Sequence, residues 1–91
     1  MSVSAIWKYP LTSDTLSRTE LPRGAKLVHA GQQNAVQTLW FKIDPQAEKE
    51  LVRFQIFGTG HDFPSVGEHV HTFYEGPFVW HVVLFRISRP A

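Results

Sequence analysis

Gly58-Thr59-Gly60-His61 is the stretch of this sequence with the most distinctive chemistry. Two glycines one residue apart let a backbone approach a ligand closely or adopt positive φ. Successive backbone N–H groups in such a turn form an anion-binding nest, with the Thr59 hydroxyl and the His61 imidazole as further donors. The competing reading is a plain turn after a buried strand. The dinucleotide fingerprint is absent, because this Gly-x-Gly follows a strand but opens no helix.

Basic and aromatic residues interleave at Trp7-Lys8-Tyr9, Arg23 with Lys26, Trp40 with Lys42, and Arg53 near Phe57. Rings stack on nucleobases and cations neutralise phosphates, so such pairs suit a small nucleotide-like anion. The expected ligand site has the amides of Gly58 to Gly60, with Thr59 and His61, on the phosphate. Trp7, Phe57 or Trp80 stacks the base, and Lys8 or Arg53 neutralises charge.

Five histidines raise metal chemistry. His69 and His71, at i, i+2 on a strand, are expected to share one face at ligand spacing, with His61, His81 or Glu68 as a third ligand. A zinc site needs three or four converging ligands, and only a pair is legible, so they read as half-exposed strand histidines without a metal. His81, between Trp80 and Val82, reads as a core or interface histidine. There is no Gly-x-Ser-x-Gly elbow, triad spacing or pair of opposed carboxylates. Glu48, Glu50, Glu68 and Glu75 fall in predicted turns and are expected to face water. The reading is therefore non-enzymatic, with no catalytic residue, cofactor or metal.

The elements that must position these residues read as short strands. Apolar runs separated by turn residues predict strands at 6–11, weakly at 15–21, and then at 25–30, 36–43, 51–57, 69–74 and 78–87. Turns are predicted at Pro22-Arg23-Gly24, at a Gly31-to-Asn34 hairpin loop and at Glu75-Gly76-Pro77. A polar turn from Asp44 to Glu50 has room for a single helical turn. Residues 78–87 are apolar on both faces, which suits a central or oligomer-facing strand. The fold class is mainly β: one domain over 1–91, a compact antiparallel sandwich or partly open small barrel of six to seven short strands, with little helix.

Composition bounds the rest. Hydrophobic residues are 43% and aromatics 13% of 91 residues, and there is no cysteine. That removes disulfides and thiolate sites and fits a reducing compartment. A small ring-rich chain has a thin core and interface-forming side chains, which favours a homo-oligomer. Net charge is +1, which gives no argument for polymeric nucleic acid or a membrane surface. No signal peptide or bilayer-length apolar run is visible, so the cytosol is the expected compartment.

Several pieces together resemble a family of short, uncharacterised bacteriophage and prophage proteins. They are Ile6-Trp7-Lys8-Tyr9-Pro10-Leu11, Glu20-Leu21-Pro22-Arg23-Gly24-Ala25-Lys26, Trp40 with Asp44-Pro45, Phe57-Gly58-Thr59-Gly60-His61, Thr72-Phe73, and Gly76-Pro77-Phe78-Val79-Trp80-His81. His69-Val70-His71 departs from the pattern. The resemblance implies a phage origin, a β-rich fold and the host cytoplasm, but no established activity. Short accessory proteins of this kind block a host defence protein or sequester a small signalling nucleotide. The leading expectation is sequestration; inhibition of a host enzyme by direct binding, or a virion-assembly role, is the alternative.

Overall fold

The computed structural model describes residues 3–60, 62 and 65–88. The order is β1 (Ala5–Pro10), α1 (Ser13–Ser17), β2 (Thr19–Pro22), β3 (Lys26–Gln33), β4 (Val36–Ile43), β5 (Lys49–Gly58), β6 (Glu68–Glu75) and β7 (Phe78–Ser88). These seven strands form two antiparallel sheets, ordered β1-β4-β3 and β2-β5-β7-β6. The chain is mainly β, as its short alternating runs predict. No helix among the described residues is long and apolar enough to cross a membrane.

Alternation on each strand builds the core. Leu39, Phe41 and Ile43 of β4 face Val52 and Phe54 of β5, Val82 and Leu84 of β7, Val70 of β6 and Leu21 of β2. Tyr9 packs edge-on against Phe41 at 5.7 Å between centroids, and burial pushes its phenol above the ordinary tyrosine range. β7 lies between β5 and β6 and buries Val82, Val83 and Leu84 in a row, so its two-sided apolar pattern marks a central strand.

Five local expectations are corrected. The weak run at 15–21 divides into α1 and β2. Leu16 N–H donates to Thr12 O at 2.9 Å and Thr12 N–H donates to Thr15 Oγ1 at 2.9 Å, closing one helical turn too short to show a period. The β3–β4 hairpin is tighter than a Gly31-to-Asn34 loop. Pairing runs to Gln33↔Val36, and the turn residues Asn34 and Ala35 have φ of 50° and 66°, as a type I′ turn requires.

The Asp44 turn contains no helix. Asp44 accepts from the Gln46 N–H at 2.9 Å, an Asx turn, and β5 begins at Lys49. Glu50 therefore points inward from β5, only 6% exposed, and its carboxylate accepts from Arg86 of β7. Finally, His69 and His71 do not share a face. A bulge between them shifts the register from His69↔Val83 to His71↔Val82, so the residue count breaks alternation. His71 turns toward the other sheet, where its Nε2 lies 2.9 Å from Gln37 Oε1, while His69 stays on the outer face beside His81.

Candidate functional site

The expected ligand residues disperse over the two sheets. Gly58, Thr59 and Trp80 line one hollow of about 400 Å³ with Pro77, Phe78 and Val79. Phe78 and Trp80 are 6.0 Å apart there. No cation among the described residues lines the hollow, and the Thr59 N–H that a phosphate nest would use already donates to Val79 O at 3.1 Å. Gly60 has φ of 90° and serves the turn. His61 lies outside the described residues.

Phe57 and Arg53 are on the outer face of the four-stranded sheet, where Arg53 stacks 4.7 Å from the Phe85 ring centre. Trp7 is paired with buried Phe41 at the inner edge of β1, with Lys49 Nζ 5.8 Å from its ring centroid. Lys8 alternates to the outer face of the three-stranded sheet. Lys8 and Arg53 thus point away from opposite sides of the sandwich and do not converge on one ligand.

Lys8 instead joins a different constellation. Register places Lys8, Trp40 and His29 in one row across β1, β4 and β3, and Ile6, Lys42 and Lys26 in the next. Trp40 and His29 are in ring contact at 5.0 Å between centroids. A bulge at Val28 keeps His29 opposite Trp40 and exposes Val28, at 47%, alongside Ile6, at 62%. Strands β1, β3 and β4 hold three lysines and no Asp or Glu, although the whole chain carries eight acidic residues against nine basic ones.

Lys26 and Lys42 are directly opposite, a placement that costs stability because like charges on facing strand positions repel. Both line a second hollow of about 400 Å³ with Arg23, Gly24 and Asp44. Arg23 is held there by the Pro22-to-Ala25 turn, in which Ala25 N–H donates to Pro22 O at 3.2 Å and Gly24 takes φ of 84°. Its guanidinium lies 3.8 Å from Glu48, an exposed pair, and Asp44 is engaged with the Gln46 amide. The result is a shallow basic pocket beside an aromatic pair on an open sheet face.

The sequence carries part of this signal, since Arg23 with Lys26 and Trp40 with Lys42 are legible as basic–aromatic neighbours. His29 gives no sign, because its place beside Trp40 depends on the Val28 bulge. His71, by contrast, is held below the ordinary imidazole range by burial and by the nearby His69 and His29.

A family model described as a domain of unknown function (DUF7352) matches residues 2–88. The chain belongs to that family. No curated protein and no solved structure matches it. A DUF7352 member thus carries three lysines and no acidic residue on the strands of its three-stranded sheet, with Asp44 in the wall of the adjoining hollow.

Proposed function

We propose that this DUF7352 protein is a non-enzymatic binder that sequesters a small anionic, nucleotide-like molecule on the outer face of β1-β4-β3. One observation carries the reading: the sheet supplies Lys8, Lys26 and Lys42 without any acidic residue, and sets Trp40 with His29 between them. A phosphate between Lys26 and Lys42, with Arg23 at its side, relieves their mutual repulsion. A base then lies on the Trp40 ring, with Lys8 at its rim. Three lysines on a face two residue rows deep fit a mononucleotide or dinucleotide better than a polymer, which needs a longer basic track.

In this reading the protein acts by holding its ligand in the host cytoplasm, as an anti-defence sponge of phage origin, and a homo-oligomer places several such faces in one assembly. Native mass spectrometry of the protein purified from a bacterial host tests it. The expected result is an added mass of a few hundred daltons, released on denaturation and absent from a K26E/K42E variant. A bare wild-type chain with a host protein recovered by pull-down would replace the sponge with a protein–protein inhibitor.

A further inference from the structure

On the opposite side of the molecule, β6 and β7 bring three donor atoms together. His69 Nε2 is 3.3 Å from His81 Nδ1, and Thr72 Oγ1 is 2.9 Å from the first and 3.2 Å from the second. We propose that this triangle binds a borderline divalent cation, with zinc as the reference case. The site is separate from the basic face and does not depend on its function.

The scale of the triangle fits. Zinc–nitrogen bonds of about 2.0–2.1 Å put neighbouring ligand atoms about 3.3 Å apart at a tetrahedral angle and about 2.9 Å apart at a right angle. The three edges span that interval. Two imidazoles and a hydroxyl favour zinc, nickel or copper over magnesium and calcium, which prefer all-oxygen shells. His69 is exposed on the sheet surface, so water has access to complete the coordination.

The surrounding bonds orient the ligands. His81 Nε2 lies 2.8 Å from Thr59 Oγ1, which is also 3.2 Å from Val79 O. A carbonyl can only accept, so when the single Thr59 hydroxyl proton goes to Val79 O the hydroxyl oxygen is left to accept from His81 Nε2–H. In that tautomer the Nδ1 lone pair of His81 is turned toward the triangle. Metal-ligating histidines are held by such outer-shell bonds as a rule. The bulge after His69 is equally part of the site, since it aligns His69 and Thr72 with His81 and sends His71 to the other sheet.

The test is calorimetric titration of the full chain with ZnCl2 alone at about pH 7.5. The expected result is one zinc per chain with micromolar affinity. H69Q and H81Q should each weaken it at least tenfold, T59V should weaken it roughly tenfold through loss of orientation, and H71Q should leave it unchanged. Far-UV circular dichroism checks that each variant is folded, and H69Q, at an exposed position, keeps the test decisive if H81Q is not. No saturable binding up to about 1 mM, a range corresponding to about 4 kcal/mol, would overturn the proposal. So would equal affinity in H69Q and wild type, or an H71Q loss matching that of H69Q.

Discussion

Replacing Lys42 by Glu should make the protein more stable and a poorer binder at the same time. Directly opposite strand residues have Cβ atoms about 5 Å apart, and Lys26 and Lys42 occupy such a pair. Two unit charges at that distance in water interact by about 0.8 kcal/mol, and a Debye length of about 8 Å roughly halves this at physiological salt. K42E turns the repulsion into attraction, so the gain is about twice the screened value, near 0.8 kcal/mol. For a domain of this size that raises Tm by about 3–6 °C. Urea unfolding at low and high salt measures it, and the gain should shrink as salt is added. Binding of a nucleotide should fall at least tenfold in K42E and remain in R18E, which changes net charge equally but away from the sheet. A K42E protein that is less stable at low salt, or that binds as wild type does, would rule out a repulsive pair that a ligand relieves.

Four further substitutions probe the frame that holds the two faces. R86M removes the partner of Glu50, which is buried on the inner side of β5; Arg86 itself is about half exposed, so the loss is discounted to about 2–3 kcal/mol, with E50M/R86M recovering at least 1 kcal/mol in a double-mutant cycle by urea unfolding. A35G relieves a left-handed residue in the type I′ turn and should raise stability by about 0.5–1 kcal/mol, seen as a Tm a few degrees higher. G67A should cost about 2–3 kcal/mol, because Gly67 has φ of 98° and an added Cβ would lie 2.8 Å from Val83 Cγ1 and from Phe85 Cε1. G24A, also at positive φ but with open space around it, should cost only about 1 kcal/mol, and the difference between the two melting curves isolates the steric part.

The parts of the fold legible in the sequence are those that local pattern encodes. Val36 to Ile43 and Phe78 to Ile87 read as strands because their β-branched and aromatic content outweighs any helical alternative, and both occupy central positions. Alternation also predicts which side of β5 is buried, with Phe54 and Ile56 opposite Arg53 and Gln55, whereas β4 reads as apolar on both faces at Leu39, Trp40 and Phe41. It fails wherever an extra residue enters a strand. The bulges at Val28 and Val70 each reverse the facing of the residues after them, placing His29 beside Trp40 and parting His69 from His71. Neither bulge carries a glycine or proline to announce it.

Glu50 escapes a local reading for a related reason: its neighbours Glu48 and Lys49 look like a solvated turn, and only the pairing with Arg86, 36 residues away, explains its burial. The basic pairs are visible one at a time. Their assembly into an acid-free sheet depends on β1 and β3 both pairing with β4, a long-range fact that no local window contains.

The three tryptophans give a direct reading of where an anion binds, since each reports a different place. Trp40 is on the outer face of β1-β4-β3, Trp7 at its inner edge, and Trp80 in the hollow beside Thr59. Titrating 15N-labelled protein with ATP, and with pyrophosphate as a base-free comparison, follows all three indole N–H signals in one spectrum. Binding on the basic face should shift the Trp40 indole together with the Lys26 and Lys42 amides when ATP is added. Pyrophosphate should shift the two lysines far more than the indole. Movement of Trp80 with Trp40 stationary, or no movement of any of them, would contradict a ligand site on that face.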